Sequence, residues 1–268
     1  PPLVTPMTGP RQGRSMTRQE APEQRPAVLT VAGSDSGGGA GIQADLKTIE
    51  AGGGFGTSAI TSVTAQNTTG VESTHVLPTE EIDAQLSAVT SDFDVAAVKT
   101  GMLATAEVVD LVAEHVADLS APAVVDPVMV AASGDRLLAR EAESAYEDLI
   151  AEATLVTPNA DEAAVLTDVD PESEAEAREA GRELVELGAD AALVKGGHIP
   201  GEDVVDVLVT DDAVYSCGES IERALAETEL LPAALIDVLG TVPGYPALRE
   251  WGYRRVANNR GTIGRLLP

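Results

Sequence analysis

The sequence has one cysteine, Cys217, in 268 residues. A disulfide within the chain and a thiolate metal cluster are therefore excluded. Lysine is nearly as scarce, with only Lys47, Lys99 and Lys195. No run of 18 apolar residues occurs, so no segment reads as a membrane-spanning helix. No apolar stretch of the secretory type stands near the start. Together these absences favour a cytoplasmic protein without membrane contact.

Basic charge is also lacking. The formal net charge is −27, which argues against non-specific nucleic-acid binding, since that needs Lys and Arg to displace counterions. Such a surface repels itself in dilute buffer and is relieved by salt. The composition favours adaptation to a salt-rich (halophilic) cytoplasm over an ordinary acidic protein. The acidity is uneven. Residues 1–25 carry +2 and residues 213–268 carry zero, so residues 26–212 carry −29. Aromatics divide at the same place, with three in the middle and four in the last 56 residues. The composition thus changes near Asp212.

Three stretches follow. Residues 1–25, rich in Pro, Gln, Arg and Gly, read as a disordered leader, with Met16 offering a natural start. Residues 26–212 alternate short apolar runs with helical periods. Strands are expected at 27–32, 57–65, 95–99, 123–127, 154–158, 191–195 and 204–210. Helices are expected at 41–51, at 79–91 with a Thr79 cap, at 105–119, 140–152 and 172–187, and briefly from Asn159. Residues 213–268 read as an amphipathic helical tail. Strand–helix alternation implies a mainly parallel sheet covered on both faces. In such sheets sites gather at the carboxyl ends of the strands. Gly33–Asp35, Gln66–Asn67, Lys99–Met102, Asp126, Asn159 and Lys195–His198 all directly follow apolar runs.

The loop "AGSDSGGGAGIQADLKT" (32–48) is rich in glycine between a strand and a helix. It fails the dinucleotide fingerprint, because Ile42 or Ala44 stands where a third glycine is needed. It fails the P-loop pattern, because Gly39 stands where lysine is needed. Taken alone it is either a tight turn or a place where a ligand approaches the backbone.

Its companions narrow the choice. "TAQNTTGV" (64–71), "VKTGML" (98–103), "VVDPVMVAASG" (124–134), "TPNADEA" (157–163) and "LVKGGH" (193–198) follow in order. Together the six motifs resemble the hydroxymethylpyrimidine/phosphomethylpyrimidine kinases of thiamine biosynthesis, of the ribokinase-like superfamily, over about residues 26–212. The resemblance implies a three-layer α/β/α sandwich and ATP-dependent phosphorylation of a small pyrimidine and its monophosphate. It implies that Gly33, Asp45, Gln66 and Met102 meet the pyrimidine. Asp126, Asn159 and Lys195 would lie on the ATP side, with Asp126 and Glu162 toward Mg²⁺. A flat ring bearing amino and aza groups suits the paired donors and acceptors of amide and carboxylate. Gln66 and Asn67 also fit a simple strand-ending turn, and Asn159 fits a helix N-cap beside a solvated Glu162. His75 and His115 read as structural. The family is usually dimeric, so a homodimer is expected.

The resemblance stops after residue 212. The family's "GTGC" or "GSGC", which opens a helix and forms the anion hole for the transferring phosphoryl group, is absent. No catalytic residue is assigned, and Cys217 in "YSCGES" is not given that role. The ending "YRRVANNR" (253–260) resembles the C-terminal part of the small DCC-type thiol–disulfide oxidoreductases, or belongs to a lineage-specific tail. That family's cysteine pair is missing, so no redox activity is implied.

Overall fold

The fold is described from a computed structural model, over residues 25–129, 144–199 and 205–216. Ala27–Asp35 forms β1, and it is buried on both faces. A near-continuous apolar run is what a strand covered by helices on both sides requires. The glycine-rich turn leads into α1 (Gly41–Ala51), then β2 (Phe55–Asn67) and β3 (Gly70–Val76). Next come α2 (Thr79–Thr90), β4 (Val95–Thr100), α3 (Ala106–Ala117) and β5 (Ala123–Val125). After them lie α4 (Tyr146–Ala151), β6 (Leu155–Val156), α5 (Ala160–Leu166) and α6 (Glu174–Glu186). The last described elements are β7 (Ala191–Val194), a 3₁₀ turn at Gly196–His198, β8 (Val207–Thr210) and β9 (Val214–Ser216).

One nine-stranded sheet has the order β3-β2-β1-β4-β5-β6-β7-β8-β9. Pairings from β2 through β7 are parallel, while β3, β8 and β9 add antiparallel edges. The chain runs outward from β1 in one direction and then returns to its other side as β4. That reversal is the switch point at which such sheets open a crevice.

Alternation along β1 separates the two layers. Leu29 and Val31 join Ile82 of α2 and Val112 of α3 in the main core. Thr30, between them, faces α1 and donates to Asp45. Helices therefore cover both faces, the ribokinase-like three-layer arrangement. Among the described residues no helix is long and apolar enough to cross a membrane.

Several elements differ from the sequence reading. Thr79 is the first residue of α2, not its cap. Pro78 holds the cap position without a side-chain hydrogen bond. Thr105 caps α3 instead of beginning it, accepting from the Val108 N–H. β3 went unseen because its exposed, polar sequence (GVESTHV) lacks an apolar run. Its turn is closed by Asn67 Oδ1, which accepts from the Thr69 N–H at 2.8 Å. Val214–Ser216, read as the start of a helical tail, pairs with β8 as a strand. The composition change at Asp212 therefore falls in the β8–β9 turn. The start of the expected 140–152 helix, the leader through residue 24 and residues 217–268 lie outside the described residues.

Candidate active site

A cavity of about 330 Å³ opens at the β1/β4 switch point. Gly33, Asp45, Gln66 and Met102 all line it, as do Lys99 and Asp126. The sequence placed all of these but Asp45 at strand ends, and the sheet brings them to one wall, which Asp45 joins from α1. A 440 Å³ groove along α6 and the β8–β9 hairpin is larger. It lies beside the sheet's far edge, and none of the candidate site residues lines it.

Gly33 has no room for a side chain. A Cβ there would stand 2.8 Å from Ser62 Oγ and 3.5 Å from Met102 Cε. The missing methyl exposes backbone to the cavity while Met102 packs alongside. Gly41 is stricter still. It lies in the left-handed region, with φ of 56°, and a Cβ would meet the Gly33 carbonyl oxygen at 2.3 Å. The helix α1 can start against β1 only because this residue is glycine.

The glycine loop carries its own anion. Asp35 is buried, and its carboxylate accepts from the N–H groups of Gly37, Gly39 and Ala40 at 2.7, 2.9 and 2.8 Å. These are donors a phosphate would otherwise use. The loop is thereby shaped around a side chain of the protein. Ser36 ties it to the end of β2: its hydroxyl donates to the Gln66 carbonyl at 2.7 Å and accepts from the Gln66 N–H at 2.8 Å. Gln66 Oε1 accepts from Thr64 Oγ1 at 3.2 Å. The Gln66 amide thus stands on a fixed backbone at the cavity wall.

Asp45 is held from the sheet side. Thr30 and Lys99 are neighbours in register on β1 and β4. Both donate to Asp45 Oδ2, at 2.7 and 3.0 Å. One oxygen takes both bonds, so the carboxylate has a set orientation on α1.

A second charged cluster lies where β5, β6 and β7 end. Lys195 Nζ donates to Asp126 Oδ1 at 3.0 Å and stands 4.0 Å from Glu162 Oε2. Thr157 donates to the same Asp126 oxygen at 3.3 Å. Asn159 is the N-cap of α5. Its Oδ1 accepts from the Glu162 N–H at 2.9 Å, while Glu162 Oε2 accepts from the Asn159 N–H at 2.8 Å. This is a complete capping box. Glu162 is buried, not solvated, and burial pushes its carboxyl above the usual range. The Asn159 N–H, Lys195 and the Met129 N–H oppose that shift, and Asp126 adds to it. Tyr146 is buried nearby, and its phenol is raised by burial and by the charges of Asp126 and Glu162.

Among the described residues no three acidic, His or Cys side chains form a ready metal cage. Mg²⁺ needs only one or two carboxylates, because it draws most of its shell from phosphate oxygens and water, and Asp126 and Glu162 stand together around Lys195 Nζ. The donor set fits that ion, with Asp126 the more accessible of the two.

Sequence reasoning missed the organising roles of Asp35, Thr30 and Lys99. One signal was available. In a chain with three lysines, all three are at this edge: Lys99 on Asp45, Lys195 on Asp126, and Lys47 donating to the Gly38 carbonyl at 2.7 Å.

This arrangement defines a kinase of the ribokinase-like class, and comparison with known proteins agrees. The chain is 34% identical to a phosphomethylpyrimidine kinase from Clostridium difficile 630 whose crystal structure is solved. The two superpose with a TM-score of 0.69 over 87% of this chain and 99% of that one. It also superposes on an ADP complex of Bacillus subtilis pyridoxal kinase, with a TM-score of 0.65 and 35% identity over 72% of this chain and 74% of that one. A hydroxymethylpyrimidine/phosphomethylpyrimidine kinase from Streptomyces coelicolor is 53% identical over 194 residues, 72% of each chain. The family model described as phosphomethylpyrimidine kinase matches residues 35–224. The chain belongs to the hydroxymethylpyrimidine/phosphomethylpyrimidine kinase family of enzymes.

Proposed function

We propose that this chain transfers the γ-phosphoryl group of ATP to the hydroxymethyl group of a hydroxymethylpyrimidine, and in a second round to the phosphate so formed. The observation that carries the reading is one cavity lined by Gly33, Asp45, Gln66 and Met102 and also by Asp126. An acceptor lying against the glycine loop would point its reacting group toward the charged cluster.

The roles follow from chemistry. Gln66 offers an amide donor and acceptor to the ring edge, and Asp45 accepts from an exocyclic amino group. Met102 packs on the ring face. Lys195 and Asn159 sit on the ATP side, where the lysine offsets phosphate charge. Asp126, with Glu162 behind it, would hold Mg²⁺, which when bound neutralises charge on the phosphates. Catalysis of this kind is mainly positioning and charge stabilisation. The cytoplasm and a homodimeric state belong to the same reading.

A second reading is favoured by one feature. Residues 213–268 contain neither "GTGC" nor "GSGC". Loss of an oxyanion-type donor costs about 10²–10³ in rate. The chain would then be a pyrimidine-binding pseudokinase with much reduced turnover, or a joined gene product without function.

An ATP-coupled assay with hydroxymethylpyrimidine, Mg²⁺ and high salt separates the two. Pyrimidine-stimulated ADP release that is lost in Asp126→Ala is the expected result. Release no greater than that of the variant overturns the kinase reading, and calorimetric pyrimidine binding without turnover supports the second.

A further inference from the structure

The two-round reaction poses a problem that the cavity itself answers. The first acceptor is a neutral alcohol. The second carries a phosphate, whose second ionisation lies near a pKa of about 6, so it is largely dianionic at neutral pH. It must enter a cavity lined by Asp35, Asp45 and Asp126. Among the described residues, Lys99 is the one cationic side chain on that lining.

From this we infer that Lys99 is the residue that admits the phosphorylated acceptor, contacting its phosphate in the second round. The proposal rests on the kinase reading above and assigns a specificity role within it.

The geometry supports the assignment. Lys99 is half-buried, with its side chain 27% exposed, so its charge is only partly screened. An ammonium has three donors, and the Asp45 carboxylate engages Lys99 at 3.0 Å through a single oxygen. Donors remain for a phosphate without breaking that pair. Gly101 leaves the approach open, since a Cβ there would stand 3.0 Å from Lys99 Nζ. Lys99 also lies between the two ends of the site. Its strand pairs with β1, which carries Gly33, and with β5, which leads into Asp126.

The chemistry of the second step suits a cation at this place. An oxygen of the bound monophosphate forms the new bond to the γ-phosphorus of ATP, while the bond from that phosphorus to the ADP oxygen breaks. The dianion has no proton to lose, so this step needs charge compensation and no base. The first step differs, because the hydroxyl must give up a proton as it attacks.

The test compares both steps in the full chain. Lys99→Gln keeps a donor for Asp45 and removes the charge. It should raise KM for the pyrimidine monophosphate by about 10- to 100-fold, the range for one charge-assisted hydrogen bond. KM for the alcohol should rise less, through the loosened Asp45 alone, so the ratio of the two KM values shifts against the monophosphate, and Lys99→Arg should recover part of that ratio. An equal loss in both steps, or no loss in the second, overturns the proposal. If Lys99→Gln does not fold, the wild-type chain still decides. Added salt should weaken binding of the monophosphate more than binding of the alcohol, and parallel salt dependence overturns the proposal. Should the wild type turn over neither substrate, the kinase reading fails. Monophosphate binding that is lost in Lys99→Gln would then still support the Lys99 assignment.

Discussion

Asp126, just after β5, and Lys195, just after β7, stand 3.0 Å apart with β6 between their strands. Sixty-nine positions separate them in sequence. Both are partly exposed, so the pair adds little to stability, about 0–1 kcal/mol. Their value lies in what they face. Lys195→Ala should leave the melting temperature nearly unchanged and weaken ATP binding by about tenfold or more. Calorimetry with a non-hydrolysable ATP analogue checks this, and a large loss of stability with unchanged nucleotide binding would refute it.

The glycine loop should depend on Asp35. Asp35→Ala leaves three backbone donors without their acceptor, although water can reach the exposed part of the loop. A loss of about 1–3 kcal/mol is expected, with weaker pyrimidine binding because Ser36 and Gln66 are tied to the same loop. Asp35→Asn, which keeps one acceptor oxygen, should fall between. Chemical denaturation and pyrimidine titration of the three proteins check the order.

Two glycines with positive φ should respond very differently to alanine. Gly53 has φ of 88° and nothing within 4 Å of a built Cβ. Gly53→Ala should cost only the left-handed penalty of about 1–2 kcal/mol. Gly41→Ala adds the clash with the Gly33 carbonyl and should cost clearly more, or prevent folding. Equal stabilities would show that α1 does not need this approach to β1.

The burial of Glu162 implies a pH dependence of definite sign. Burial raises its carboxyl above 4.5, so the folded chain holds this proton more tightly than the unfolded chain. That contribution is complete below the unfolded value and is lost as pH rises through the folded one. Glu162→Gln removes the titration and keeps the N3 side chain that α5 uses. In EDTA, its stability relative to wild type should improve as pH rises from about 4.5. Thermal melts across that window check it, and a difference that runs the other way would overturn the assignment.

Much of this was legible in the sequence, for identifiable reasons. β1 and β7 show as apolar runs because their residues are buried or half-buried on both faces, and β4 shows although its Ala96 is exposed. Their end residues mark the site because the parallel sheet sends every such end to one edge. β3 was hidden because a solvated edge strand needs no apolar pattern. Asp35 was hidden because its role lies in three backbone bonds, which a loop sequence does not spell out. Lys99 showed as a strand-end residue, but its hold on Asp45 did not, since register with Thr30 is a property of the sheet. The Asn159 cap was legible from its spacing to Glu162, but the burial of Glu162 was not, because Lys195 arrives from a distant strand.

The central claim is that the glycine loop receives the pyrimidine ring. Calorimetric titration of hydroxymethylpyrimidine into the wild-type chain and Gln66→Ala, in high salt, tests it most directly. One site per chain, weakened about tenfold in the variant by loss of the amide's hydrogen bonds, is the predicted result. Absence of binding to the wild type, or equal affinity in the two proteins, would contradict it.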